Sequence, residues 1–94
     1  MTRLGRTQRA IIEYLRANGG ASNSYAIARN CSRYRAGENL IMRSLHRLRE
    51  RGIVKYAGDS NYSRLTDREK AAIIAAKQRN PRASAFWVLA EDWL

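Results

Sequence analysis

The strongest constraint in this sequence is an amphipathic helix that runs directly into a β-prone segment. On a helical wheel with 100° per residue, three side chains fall within about 60° of Ile41 and form one stripe with it: Ser44, Leu45 and Leu48. The opposite side of the wheel carries only polar residues, namely Asn39, Arg43, His46 and Glu50. Gly52 ends the helix and residues 53–56 follow at once as a strand. The pattern predicts a helix over 38–51 that buries one stripe.

Capping and turn residues predict two shorter helices before this one. The first spans residues 8–18 and ends where Asn18-Gly19-Gly20 supplies residues that tolerate a left-handed backbone. The second is short and covers Tyr25-Ala26-Ile27-Ala28. Residues 30–37 are polar and basic, and we expect them to form the turn before helix 38–51.

The second half of the chain is predicted to contain a hairpin and a helix. Residues 53–56 and 62–65 are β-prone and are separated by the polar stretch 57–61, which favours a two-stranded hairpin. Thr66-Asp67-Arg68-Glu69 matches a capping box, so a helix over 67–79 should follow. Its apolar residues extend most of the way round, which suits packing against the domain or against a second copy.

Residues 84–94 hold three of the eight aromatic side chains. The spacing of Phe86, Leu89 and Trp93 predicts a fifth helix. A strand over 85–90 is the competing interpretation, because short aromatic runs fit either period. This segment either completes the core of the monomer or pairs with its counterpart in a homodimer, and we expect the dimer.

The balance of charge favours a polyanionic partner. The chain has 18 basic and 8 acidic side chains, and residues 1–58 carry 12 of the basic but only 3 of the acidic ones. Most of the basic residues are arginine, whose planar guanidinium group suits phosphate and the edge of guanine. Nucleic acid is therefore the expected partner.

Several classes of function are not expected. Cys31 and His46 are the only cysteine and histidine, so neither a disulfide framework, a metal site nor a cofactor is predicted. Two such residues do not supply a nucleophile, a base and an orienting group, and the carboxylates are too scattered for a paired-acid site, so no catalytic residue is predicted. No apolar run approaches ~18 residues. We expect a cytoplasmic protein without membrane association, enzyme activity or a small-molecule effector.

The predicted order of helix, short helix, turn, longer helix and hairpin is that of a winged helix-turn-helix. Residues 44–54, SLHRLRERGIV, resemble the end of the recognition helix and the start of the wing in MarR-like and PadR-like transcriptional regulators, where an L-x-x-L-x-x-x-G-[LI]-[VI] pattern recurs. Leu65-Thr66-Asp67 resembles their wing exit. The resemblance implies a mainly α fold with a small β-hairpin (α+β), in one domain over 1–94. Residues 7–66 would form a three-helix core with a two-stranded wing, and 67–94 a C-terminal helical extension.

The resemblance implies that helix 38–51 lies in the major groove of double-stranded DNA. Asn39 and Arg43 lie one turn apart on its outer face, and these side chains can make paired bonds to adenine and guanine, so we expect them to read bases. Contacts to the DNA backbone are expected from the start of the second helix, the turn and the recognition helix: Ser24, Tyr25, Arg33, Tyr34, Arg35 and Arg47. The alternatives are a solvated helix face, a core role for Tyr34 and capping alone for the serine.

The wing over 55–64 is expected to contact the DNA backbone or the minor groove, although an ordinary hairpin turn would use the same residues. Its expected contacts are Lys55, Ser60, Asn61, Tyr62 and Arg64. The expected dimer interface consists of Ile73, Ile74, Phe86, Trp87, Leu89 and Trp93. Two-fold symmetry would match a palindromic binding site.

These expectations describe a sequence-specific DNA-binding protein, a viral or prokaryotic transcriptional repressor that acts by occupying its operator. Two alternatives stay open, because fold does not determine function. One is an architectural or DNA-processing factor in recombination, replication or packaging. The other is a protein- or RNA-binding winged helix, in which the aromatic C-terminal segment would carry the binding surface.

Overall fold

The computed structural model describes residues 4–31, 37–58 and 62–94. Within these residues the chain forms four α-helices and a three-stranded antiparallel sheet, an α+β domain. The helices are α1 (Arg6–Ala17), α2 (Ser24–Cys31), α3 (Gly37–Glu50) and α4 (Asp67–Arg79). The strands are β1 (Ala21–Asn23), β2 (Val54–Ala57) and β3 (Phe86–Leu89). Two 3₁₀ turns cover Tyr62–Arg64 and Glu91–Trp93.

Two glycines turn the chain from α1 into β1. Gly19 and Gly20 have φ angles of 78° and 98°, which side chains with a Cβ rarely adopt. The N–H of Gly20 donates to the carbonyl of Leu15 at 2.6 Å and so satisfies one of the last free carbonyls of the helix. A Cβ at Gly20 would also collide with the side chain of Leu94. This corner therefore requires glycine for its backbone angle, and a larger residue would also displace the end of the Leu94 side chain.

Local signals also set the limits of α2 and α3. Asn23 caps α2, because its Oδ1 accepts a hydrogen bond from the N–H of Ala26 at 2.8 Å. Gly52, with φ 74°, follows the end of α3. The N–H of Ile53 then donates to the carbonyl of Leu48 at 2.9 Å, as in a Schellman motif. This turn delivers the chain directly into β2.

The last strand in the sequence is the central strand of the sheet. β3 lies between β1 and β2 and is antiparallel to both. Its side chains are all buried and divide between the two faces of the sheet: Trp87 and Leu89 on one, Phe86 and Val88 on the other. A strand covered on both faces needs apolar residues at every position, which explains the uninterrupted run Phe-Trp-Val-Leu.

The sheet separates two layers of helices. On one face α1, α2 and α3 bury Leu15, Ile27 and Leu45 against Trp87. On the other face α4 buries Ile73 and residues near it against the strands. The three-helix layer and α4 therefore lie on opposite sides of the sheet.

The prediction of a hairpin between residues 53–56 and 62–65 is wrong in its second strand. Residues 62–64 form a 3₁₀ turn, and β2 pairs instead with β3, beyond the whole of α4. The physical reason is burial. The stretch 62–65 contains Ser63 and Arg64, which are exposed, whereas the central position of the sheet needs side chains that can be buried on both faces.

The prediction of a fifth helix over 84–94 is also wrong, and the competing strand is correct. Four of the residues predicted to form a dimer interface are fully buried inside this one chain: Ile73, Phe86, Trp87 and Leu89. They hold the two helical layers on the sheet and are not available to a second copy. Ile74 is half exposed and Trp93 partly exposed, and the homodimer itself stays a prediction.

The predicted capping box at the start of α4 is present and is extended by a buried carboxylate. Thr66 Oγ1 accepts from the N–H of Glu69, and Glu69 Oε1 accepts in return from the N–H of Thr66 at 2.9 Å. Glu69 also accepts from Lys55 Nζ at 2.9 Å and, through Oε2, from the N–H of Glu91 at 2.8 Å. This fully buried side chain joins α4 to β2 and to the residues that follow β3.

Candidate nucleic-acid interface

Burial of one stripe of α3 determines which of its side chains face solvent. Ile41, Leu45 and Leu48 are buried in the core that α3 shares with α1 and α2, and Ser44 is buried beside them, as predicted. The exposed side chains include the predicted outer set, which consists of Asn39, Arg43, His46 and Glu50, and also Arg47 beside it. From Asn39 to Arg49 the helix has no acidic residue. The outer face of α3 is therefore basic over most of its length.

The two predicted base-reading residues lie on this face as expected from the helical wheel. Asn39 and Arg43 are both exposed, and Arg47 follows one turn later. Residues four apart are separated by about 6 Å along a helix, just under two base-pair steps of B-DNA. An amide and two guanidinium groups are thus spaced so that neighbouring base pairs or phosphates are within their reach.

Leu40 is a residue of this face that the sequence reasoning missed. Its side chain is 43% exposed, although the exposed residues on either side of it along α3 are polar or charged. The signal was available, because Leu40 lies 100° from Ile41 on the wheel and therefore at the edge of the buried stripe. The apolar side chain of Leu40, beside Arg43, can make an apolar contact that the polar residues of this face do not offer.

Trp87 fixes α2 and α3 relative to the sheet. Its Nε1 donates to Ser24 Oγ at 2.8 Å, at the first residue of α2. The ring of His46 on α3 meets the indole edge-on, with centroids 5.6 Å apart, and Tyr56 on β2 meets it at 5.1 Å. The guanidinium of Arg49 lies over Tyr56, 5.9 Å from the ring centroid. One buried indole thus positions both helices of the candidate interface, a role the sequence did not reveal.

The start of α2 presents one exposed aromatic side chain and one anchored hydroxyl. Tyr25 is 67% exposed, the most of any large hydrophobic side chain in the described part of the chain. Ser24 accepts from Trp87, and its own O–H is still able to donate to a phosphate oxygen. Arg29 lies exposed one turn further along the same helix.

Five of the predicted DNA contacts lie outside the described residues. They are Arg33, Tyr34 and Arg35 in the predicted turn, and Ser60 and Asn61 at the predicted wing tip. Their roles stay predictions.

The remaining predicted wing residues are not brought together with α3. Lys55 lies opposite Val88 on the face of the sheet that α4 covers, where it forms an ion pair with Glu69. Tyr62 lies against α4, with Lys70 and Lys77 at 5.7 and 5.3 Å from its ring centroid. Arg64 is exposed in the 3₁₀ turn. Because the hairpin does not form, the prediction that these residues make up one DNA-contacting wing loses its structural basis.

The electrostatics of Glu69 reflect its buried position. Burial by itself raises the pKa of this carboxyl group, but the N–H of Thr66, the ammonium group of Lys55 and the N–H of Glu91 outweigh that effect. The resulting pKa lies below the usual value, so Glu69 is ionised at neutral pH and holds the charge of Lys55. This ion pair is structural and leaves Lys55 poorly placed to bind a phosphate.

A groove lies between α4 and the corner that joins α1 to β1. Its volume is about 720 Å³, and the exposed Arg16 and Arg68 contribute to its wall together with Ala71, Ala75, Leu89 and Leu94. Arg16 is held in place, because its Nε donates to the carbonyl of Trp93 at 3.2 Å. Arg68 has no such bond among the described residues. The groove combines apolar walls with two positive charges.

Cys31, the one cysteine of the chain, is buried. Burial raises the pKa of the Cys31 thiol to about 11, so its reactive thiolate is scarce at neutral pH. Across residues 4–31, 37–58 and 62–94, no group of three or more His, Cys, Asp and Glu side chains is placed to hold a metal ion. The helices of these same residues include none that is both long and apolar enough to cross a membrane.

Comparison of the chain with protein families, with proteins of described function and with solved structures finds no match.

Proposed function

We propose that the protein binds double-stranded DNA sequence-specifically, as a transcriptional repressor, by placing α3 in the major groove. The observation that carries the proposal is the outer face of α3. Its buried stripe turns Asn39, Arg43 and Arg47 to solvent together, with no acidic residue between them. Amide and guanidinium groups are those that read adenine and guanine edges by paired hydrogen bonds.

The order of elements supports a winged-helix assignment. α2 and α3 pack together with α1 on one face of a sheet whose strand order is β1-β3-β2. In this assignment α2 and α3 are the helix-turn-helix pair, and β2 and β3 are the two strands that form the wing. α4 is then an insertion between these strands, folded back on the far side of the sheet.

The proposed contacts divide into base readers and backbone contacts. Asn39 and Arg43 read bases, whereas Arg47, Tyr25 and the hydroxyl of Ser24 bind the sugar-phosphate backbone and fix the position of α3. The predicted backbone contacts of Arg33, Tyr34 and Arg35 are kept in the proposal on sequence grounds. Lys55, Tyr62 and Arg64 are left out of it, because two of the three are engaged with α4.

The test is selection of bound sequences from a random duplex pool at ~150 mM salt, where charge-driven binding is weakened. Enrichment of a defined sequence supports the proposal, and an inverted repeat would indicate two copies per site. Binding without enrichment would favour the architectural or DNA-processing role. Absence of binding to any duplex would contradict the proposal and favour an RNA or protein partner.

Arg43→Ala tests the reading role on the selected site. The variant should bind that site more weakly by about 1–3 kcal/mol and bind random duplex almost as well as the parent, because a bidentate contact to a base is sequence-specific. Arg82→Ala removes the same charge from an exposed position after α4 and serves as the matched control. An equal loss on both kinds of DNA would make Arg43 a phosphate contact.

A further inference from the structure

The side of α4 that faces away from the sheet is an unused surface with a distinctive composition. Ile73 is buried against the strands together with Ala72 and Ala76. The outward side carries four uncharged residues with helical spacing i, i+3, i+4 and i+7: Ala71, Ile74, Ala75 and Gln78. We refer to these four residues as the α4 outer face. Ile74 is 50% exposed, so an apolar side chain projects from the middle of this face.

Basic side chains border the α4 outer face. Arg68 is exposed on one side, and Lys70 and Lys77 lie on the other, where both contact the ring of Tyr62. Asp67 is exposed in the first turn of α4, one turn before Ala71, but from Lys70 to Ala90 the sequence contains no acidic residue. The partner of this surface should therefore combine apolar groups with negative charge.

The groove beside α4 has the same combination of apolar and basic residues as the α4 outer face. Ala71 and Ala75 form part of both the groove and the α4 outer face. The buried Ala72 and Leu89 contribute an apolar floor, while Arg16 and Arg68 are exposed above it. The residues that line the groove include two basic side chains and no acidic one. Side chains of a docked segment would thus find an apolar cleft with basic edges.

We propose that the α4 outer face and its groove bind an acidic amphipathic helix of a partner protein. The spacing of Ala71, Ile74, Ala75 and Gln78 suits helix-to-helix packing, because small residues allow close approach and Ile74 can insert between side chains of the partner. Glutamates and aspartates on that helix would face Arg68, Lys70 and Lys77. A second copy of this chain fits less well, because α4 would then meet basic residues with basic residues.

The location of this surface makes it independent of the proposed DNA contacts. α3 and α4 cover opposite faces of the sheet, so a partner on α4 leaves Asn39 and Arg43 free. The inference does not rest on DNA binding and can be tested without DNA. If both hold, the protein recruits an acidic partner to its binding site.

The test uses a fluorescein-labelled synthetic peptide of about 14 residues, with leucines at i, i+3, i+4 and i+7 and glutamates at most other positions. A peptide of the same composition in scrambled order is the control. Anisotropy titration of the full-length protein at ~150 mM salt should show the patterned peptide binding at least ~10-fold more tightly than the scrambled one. Equal binding of the two peptides would overturn the proposal, because it would show attraction by charge alone.

Two matched variants locate the site. Ile74→Gln should weaken binding of the patterned peptide by about tenfold without changing the charge of the protein. Leu40→Gln changes a similarly exposed apolar side chain on α3. It should leave peptide binding within about twofold of the parent, because α3 lies on the opposite side of the sheet from α4. An unchanged affinity in Ile74→Gln, or an equal loss in both variants, would contradict the assignment to α4.

Sedimentation equilibrium and competition with DNA test two other occupants of the α4 outer face, which are a second copy of the chain and nucleic acid. A dimer of the parent chain that Ile74→Gln dissociates would show that a second copy covers this face, and would overturn the proposal. Displacement of the patterned peptide by random-sequence duplex DNA, equal in the parent and in Arg47→Ala, would assign the face to nucleic acid and overturn it as well.

Discussion

Glu69 shows how one side chain can hold three parts of a small protein together. Its carboxylate is completely buried and accepts from the backbone of Thr66, the ammonium of Lys55 and the backbone of Glu91. A buried carboxylate is stabilising only when such donors replace its hydration. Lys55 is 39% exposed, so water screens the ion pair, and the two backbone N–H donors act on the carboxylate together with it.

The stability of the protein should therefore depend on pH through Glu69. Its pKa in the folded protein lies below the ordinary value of 4.5, so the fold favours the ionised form. That contribution is complete above pH 4.5 and is lost as the pH falls through the lower, folded-state pKa. Urea unfolding from pH 7 to pH 3 should show the free energy of unfolding level at first and then falling.

Glu69→Gln provides the control for this pH dependence. At pH 7 the variant should be less stable by about 2 kcal/mol, because an amide has one acceptor oxygen where the carboxylate has two. The difference from the parent should shrink as the pH falls, since protonation removes the advantage of the parent. A difference that is constant from pH 7 to pH 3 would show that another group causes the acid loss.

Leu40 should contribute to base recognition by contact with a thymine methyl group. On a selected DNA site, replacing the contacted thymine by deoxyuridine removes one methyl group, worth about 0.8 kcal/mol or about fourfold in affinity. The parent should discriminate between the two bases at one position, and Leu40→Ala should not. Ile74→Ala, changed on the opposite side of the sheet, should keep the discrimination. Absence of any thymine preference in the parent would leave Leu40 without a role in reading.

At the scale of elements, the corner between α1 and β1 depends on glycine. Gly20→Ala should lower the free energy of unfolding by about 2 kcal/mol, chiefly from an unfavourable φ angle and to a smaller extent from displacement of the flexible end of the Leu94 side chain. Gly52→Ala is the matched control, because its φ is also positive but a Cβ there meets no atom within 4 Å. It should cost only about 1 kcal/mol. Equal losses in thermal or urea unfolding would show that contact with Leu94 is unimportant.

Elements specified by neighbouring residues could be predicted, and those specified by distant residues could not. The capping box of Thr66 and Glu69 sets the start of α4 within four residues, so the prediction of 67–79 is confirmed. The buried stripe of α3 is likewise confirmed, because it depends only on helical spacing. The predicted partner strand of β2 was wrong, because the true partner, β3, lies beyond α4 in the sequence. The pairing with β3 depends on burial from both faces of the sheet, which neighbouring residues do not specify.

The same distinction applies to the candidate interface. Exposure of Asn39, Arg43 and Arg47 followed from the wheel. The contacts of Trp87 with Ser24 and His46 did not, because they join residues from α2, α3 and β3. The ion pair of Lys55 with Glu69 was missed for the same reason, since Lys55 was assigned to the DNA-contacting wing and Glu69 to the capping box.

At the scale of the whole molecule, the C-terminal segment should be indispensable for folding. A chain ending at Ala83 would lack β3, which leaves β1 and β2 without hydrogen-bond partners and removes Phe86 and Trp87 from the two cores. We expect no cooperative thermal transition in its far-ultraviolet circular dichroism, in contrast to the full-length protein. Cooperative unfolding of the shortened chain would show that α1, α2 and α3 fold without the sheet.

The central position of β3 also has a consequence during synthesis. A ribosome makes β1 and β2 before the strand that joins them, so the sheet is unable to assemble until residues 86–89 have left the exit tunnel. Until then, the side of α1, α2 and α3 that packs against Trp87 and Leu89 in the folded protein is uncovered. A nascent or prematurely terminated chain would thus expose apolar surface to chaperones and proteases. Only chains that contain β3 would hold α3 in the orientation described above.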